Sequence, residues 1–160
     1  MKSIIIYYSY GGNTEKVANE LFEFLKEKGS AEIVKLKELE QTDNFFLQSK
    51  RAFRHERANI EDINFDLSGY DIICFGTPVW AFGPAPAMNA YLDKCFGVEK
   101  KKIVLFATYG SGVGKNRCLN YIERILIKKN AGEFKKFTLQ QAKVNDKEFV
   151  ISKIKEILPL

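Results

Sequence analysis

Three short segments of this chain carry residue types suited to gripping a ligand, and each follows an apolar run. They are Ser9-Tyr10-Gly11-Gly12-Asn13-Thr14, Thr77-Pro78-Val79-Trp80-Ala81-Phe82-Gly83, and Tyr109-Gly110-Ser111-Gly112 with Thr108 before it. A phosphate needs several hydrogen-bond donors aimed at one point, and a helix start supplies unpaired N–H groups with partial positive charge. In the first segment Gly11 and Gly12 allow a tight turn and close approach. Ser9 and Thr14 add hydroxyls, and Asn13 adds an amide. No lysine or arginine lies between Lys2 and Lys16, so such a site would work with neutral donors. The plainer reading of the same residues is a strand-to-helix turn with an Asn or Thr cap.

The second segment holds the chain's only tryptophan. At a loop tip an indole offers a flat face, whereas a buried one usually needs a partner for its N–H. The competing reading packs Trp80 and Phe82 down as a hydrophobic plug. In the third segment the glycines would admit backbone amides to a ring edge while Tyr109 covers the other side. Together the segments suit a ligand with a phosphate at one end and a planar ring at the other.

Other chemistries fail on spacing. A nucleoside-triphosphate loop requires G-x-x-x-x-G-K-[ST], but counting back from Gly114-Lys115 places Tyr109 at the first glycine and Asn116 at the hydroxyl. Cys74, Cys95 and Cys118 form no C-x-x-C pair, which excludes a disulfide framework or zinc site of the usual spacing. Cys74 reads as a small core hydrophobe. The single histidine, His55, sits in a basic stretch and reads as a solvated surface residue. No catalytic residue and no metal ligand is assigned.

The elements that must position these segments are legible from periodicity. Ile4–Tyr8, Ile72–Gly76 and Ile103–Ala107 are apolar throughout, as expected for parallel strands buried on both faces. Ser30–Lys37 and Glu133–Leu139 mix charged and apolar residues, as edge strands do. Helical patterns separate them: residues 14–28 before Gly29, Pro84-Ala85-Pro86 onward to Cys95, a segment with Leu119, Ile122 and Leu126 ending by Gly132, and a last helix started by Asp146. Glu38–Ser68 reads as a long connection around one short helix. The expectation is a single domain over residues 1–160, a doubly wound five-stranded parallel α/β sheet ordered 2-1-3-4-5 with helices on both faces. In such a sheet ligands bind at the carboxyl ends of the strands, near the break in strand order.

The chain has 160 residues, 46% hydrophobic and 28% charged, which describes an ordinary globular domain. No apolar run approaches the ~20 residues of a bilayer span. No signal-peptide pattern precedes Ile4, so a cytoplasmic location with no membrane association is expected. The net charge of +5 comes from scattered basic stretches, which solvate helix ends or attract an anionic partner. They form no nucleic-acid module, so no nucleic-acid partner is expected.

The S-Y-G-G-N-T run, the T-P-V-W run and the glycine-bearing third loop resemble those of the flavodoxin family, and the order of elements fits over the whole length. The absence of a long insertion in the fifth strand is similar to the short-chain branch. The resemblance implies FMN as cofactor. Ser9 to Thr14 would bind its phosphate, Thr77 to Gly83 the ribityl chain and one ring face, and Tyr109 to Gly112 the other face. Gly11 stands where the family often has a hydroxyl residue, and familiar flavodoxins are acidic whereas this chain is basic. The segment Phe45–Ile63 and T-P-V-W followed by Gly83-Pro84 are similar to a broader group that includes quinone reductases. The resemblance therefore implies electron transfer to a redox partner protein or small-molecule acceptor, with two alternatives. One is an FMN-dependent NAD(P)H:quinone-type oxidoreductase; the other is a flavin-free interaction domain. Residues 77–83 and 108–116 contain no Asp or Glu, so a less negative flavin potential than in acidic flavodoxins is expected.

Overall fold

The computed structural model describes residues 1–40 and 45–159. Its elements run β1 (Lys2–Tyr7), α1 (Asn13–Lys26), β2 (Ser30–Lys35), α2 (Phe45–Phe53), β3 (Ile72–Pro78), α3 (Pro86–Lys94), β4 (Lys102–Tyr109), α4 (Lys115–Lys128), β5 (Phe134–Gln140) and α5 (Lys147–Ile157). One 3-10 turn, Gln141–Lys143, joins the last two. The strands pair in parallel in the expected order β2-β1-β3-β4-β5, with the apolar three inside.

Side chains alternate across the sheet, and two cores result. Ile4, Ile6, Tyr8, Phe75 and Leu105 face one side, where Met88 and Leu92 of α3 and Ile122 and Leu126 of α4 cover them. Ile5, Tyr7, Cys74, Val104 and Phe106 face the other, beneath Val17 and Leu21 of α1 and Val150 and Ile154 of α5. The central strands are therefore apolar on both faces. Cys74 is fully buried, as a core hydrophobe should be, and burial raises its thiol pKa well above the usual range.

Several boundaries differ from expectation for identifiable reasons. β3 and β4 each run two residues further, to Pro78 and Tyr109, because the ladder continues through Pro78 opposite Thr108. Tyr109 is thus the end of a strand rather than part of a loop. α4 stops at Lys128, and Asn130, at φ +58°, makes the left-handed turn that Gly132 was expected to supply. At Gly29 the requirement is space: a Cβ there would lie 2.2 Å from the Met1 carbonyl oxygen. Asp146 caps α5 as expected, accepting a hydrogen bond from the Phe149 N–H at 3.0 Å.

Candidate FMN site

The carboxyl ends of β1, β3 and β4 meet at a cleft of about 180 Å³. From the first loop Ser9, Tyr10, Gly11, Asn13 and Thr14 line it; Pro78 and Trp80 come from the second. Thr108 and Gln141 complete the wall. Nothing in that lining carries a formal charge. Gly12, at φ +83°, turns the chain into α1, and no side chain caps the helix there. The first-turn N–H groups thus remain available to an anion, except that of Glu15, which donates to Ser9 Oγ at 3.3 Å. Thr14 and Thr108, both about 1% exposed, share a hydrogen bond between their hydroxyls at 2.8 Å. This donor set, a helix start with hydroxyls and an amide around it, fits a phosphate held by neutral groups.

The second loop is placed differently from its expected exposed tip. Trp80 is only 4% exposed and packs edge-on against Tyr8 and Tyr10, each ring centroid 5.6 Å away. The plug reading is realised for Trp80, part of whose indole still lines the cleft, but not for Phe82, which is 37% exposed. Burial raises the Tyr8 hydroxyl pKa well above its usual range, and the nearby Glu38 carboxylate adds to the shift. Thr77 is fully buried and works as a brace, accepting from the Ala85 N–H and donating to the Pro78 carbonyl, both at 3.0 Å. The Val79 N–H is tied to the Thr108 carbonyl at 2.8 Å.

Trp80 and Gly83 exchange backbone hydrogen bonds of 2.9 Å across Ala81 and Phe82. Both central residues have positive φ, 43° and 70°, the backbone of a type I′ turn built without glycine. That turn aims Phe82 away from the cleft and onto the third loop, where a Cβ on Gly114 would lie 2.3 Å from the Phe82 ring.

Tyr109, Gly110, Ser111 and Gly112 do not line the cleft. The Lys115 ammonium sits 4.5 Å from the centre of the Tyr109 ring. Val79, Ala81, Phe82 and Gly83 also stand outside the lining. The neutral donors of the first loop therefore gather at one cleft with Trp80, whereas Tyr109 stands outside its lining. Sequence reasoning placed Thr108 at the head of the third loop without a role, and missed Gln141. The place of Thr108 in the lining could have been found from its register opposite Pro78 at the strand end. Gln141 follows the edge strand and carries no local signal; the sheet order alone brings it in.

His55 is half-buried rather than solvated: its ring stacks on Tyr121 at 4.2 Å with the planes 8° apart. Burial lowers its pKa, and the charges of Arg117, Arg57 and Arg124 lower it further. Among the described residues no His, Cys, Asp and Glu cluster could hold a metal ion, and no helix is long and apolar enough to cross a membrane.

Residues 1–142 match the family described as NADPH-dependent FMN reductase. Among solved structures, the chain is similar to a flavoprotein from Lactobacillus acidophilus in complex with FMN, at 21% identity and a TM-score of 0.69, with 92% of this chain and 98% of that one covered. It is also similar to the oxidised flavodoxin 2 of Bacillus cereus, at 18% identity and a TM-score of 0.64, with 96% and 95% covered. A flavodoxin from the domain Archaea matches at 15% identity and a TM-score of 0.62, with 98% and 99% covered. The fold of all three is the flavodoxin-like one seen here. The chain therefore belongs to the NADPH-dependent FMN reductase family and is an FMN-binding flavoprotein with a flavodoxin-like fold.

Proposed function

We propose that this protein is an electron carrier that holds FMN non-covalently at the cleft between β1, β3 and β4. The observation behind this reading is the lining itself. It offers neutral hydroxyl, amide and N–H donors and part of an indole, but no carboxylate, histidine or cation to move a proton or grip a second substrate. Bound FMN supplies one- and two-electron chemistry that such a lining does not. In this reading the N–H groups at the start of α1, with Asn13, Thr14 and Thr108, hold the phosphate. Pro78 and Trp80 wall the chain that leads to the ring. The loops Thr77–Gly83 and Tyr109–Gly112 lie beside the ring and keep carboxylates away from it.

A second reading, an FMN-dependent oxidoreductase that takes hydride from NADPH and reduces a quinone-type acceptor, is favoured by the family match over residues 1–142. Two measurements separate them. Titration of the purified protein with FMN, followed by absorbance and fluorescence quenching, is expected to show one saturable site. A folded protein that ignores excess FMN refutes both readings. Steady-state NADPH oxidation with a quinone is expected to be slow for the carrier; turnover of ~tens per second establishes the enzyme instead.

A further inference from the structure

Arg117, Tyr121, Arg124 and Lys128 follow one another along α4 at intervals of four, three and four residues, so they share one face of the helix. The three cations are exposed, and among the described residues none of them is ion-paired with a carboxylate. The acids close by are already engaged. Asp93 holds Arg57 at 2.6 Å, Glu56 lies 3.5 Å from Arg51, and Glu123 holds Lys136 at 2.7 Å. Beside the stripe lies an open groove of about 560 Å³ with His55, Tyr121, Ile125 and Ile127 in its wall. Ile127 is 54% exposed. Stacked rings and isoleucines inside a rim of arginine and lysine have the anatomy of a protein interface with an apolar centre and a polar border. Two neighbours tie this face to the loop after Trp80: Arg117 lies 5.9 Å from the Phe82 ring centre, and a Cβ on Gly83 would lie 3.3 Å from the His55 ring.

We propose that this face of α4, centred on the His55–Tyr121 stack, docks an acidic redox protein. The proposal rests on the electron-carrier reading. Unpaired positive charge around an apolar centre selects a partner with a negative rim, through steering and through the like-charge penalty placed on wrong partners. A second copy of this chain fits poorly, because a two-fold contact would set Arg124 and Lys128 against the same residues of its mate. A partner seated here would lie beside the turn that follows Trp80, on the side of the cleft where the loops carry no carboxylate.

The test uses the FMN-loaded, nitrogen-15-labelled protein and a gallium-substituted plant-type ferredoxin, acidic and redox-inert, as the probe. Amide shift changes are expected on α4 and around His55. The Kd should rise by about tenfold or more between ~50 and ~300 mM salt, as it should for charge-steered contacts. The double variant Arg124→Glu/Lys128→Glu should weaken binding by about tenfold at low salt while FMN affinity stays unchanged. Shifts confined to another surface, a Kd altered less than about twofold in the variant, or tighter binding of a DNA oligonucleotide than of ferredoxin at the same salt overturns the proposal. So does a stable dimer whose formation protects α4. Because the probe passes no electrons, failure here leaves the carrier reading to be judged by FMN titration and NADPH turnover.

Discussion

The hydroxyls of Thr14 and Thr108 meet at 2.8 Å, tying the start of α1 to the end of β4 over the top of β3. Both side chains are buried, so each hydroxyl gives the other a partner at the carboxyl edge of the sheet. Thr14→Val would leave the Thr108 hydroxyl without this partner, at a cost of about 1–3 kcal/mol of stability. Replacing both by valine should cost little more than replacing one, since the surviving orphan disappears. Urea denaturation of the two single variants and the double variant closes this cycle. If Thr14 also meets the phosphate, its FMN affinity falls by about tenfold or more, a loss of roughly 1.5 kcal/mol, readable by fluorescence titration.

Gly76 leaves no room for a side chain. A Cβ there would stand 2.1 Å from Cζ of Phe106 on the neighbouring strand, in a core that cannot open. Gly76→Ala is expected to cost about 2 kcal/mol or more. Adding Phe106→Leu should recover part of the loss by vacating the contested volume. Thermal melts of both variants check the pair, and an unchanged midpoint for Gly76→Ala contradicts the packing described.

Ala81 and Phe82 hold positive φ without being glycine. A left-handed residue with a Cβ costs roughly 1–2 kcal/mol, so Ala81→Gly should stabilise the ligand-free protein by about 1 kcal/mol after the entropy lost by the unfolded glycine is counted. Phe82→Gly relieves the same strain but also removes the ring packed over Gly114, so its net gain should be smaller. Chemical denaturation without FMN measures both. A destabilised Ala81→Gly variant would mean that the turn is not strained.

His55 makes stability depend on pH. Its folded-state pKa lies below the ordinary 6.5, first through burial and then through Arg117, Arg57 and Arg124. The unfolded chain therefore binds the proton more readily. Above about pH 6.5 both states are neutral at this ring and its contribution is complete; as pH falls through the unfolded and then the folded value, stability is lost. Melting temperatures measured between pH 7.5 and 5 should fall, and His55→Phe should flatten that slope while keeping the stack on Tyr121.

The field around the ring site is open to test through Lys115, whose ammonium covers the Tyr109 ring at 4.5 Å. Lys115→Glu reverses a charge in a stretch otherwise free of carboxylates. It should make the reduction potential of bound FMN more negative by on the order of tens of millivolts, and less so at high salt. Spectroelectrochemical titration of both proteins reads the shift; a potential that does not move places Lys115 outside the flavin's field.

Polarity along the chain separated inner strands from edge strands, which agrees with the observed order without fixing it. Ile4–Ile6, Ile72–Phe75 and Ile103–Phe106 have no polar face to give to water, so they must lie inside, and the mixed strands Ser30–Lys35 and Phe134–Gln140 must flank them. Local chemistry likewise announced the neutral helix start at Gly12 and the cap at Asp146, because each depends on residues within one turn.

What only the folded chain decided lies between segments distant in sequence. Trp80 is buried because Tyr8 and Tyr10 stand beside it on another strand end. His55 is sheltered because Tyr121 arrives from α4, and Gln141 reaches the cleft because β5 lies next to β4. A residue's own type and near neighbours describe what it can do. Whether an aromatic or polar side chain faces water, a neighbour or a ligand is set by which surfaces the closed sheet brings against it.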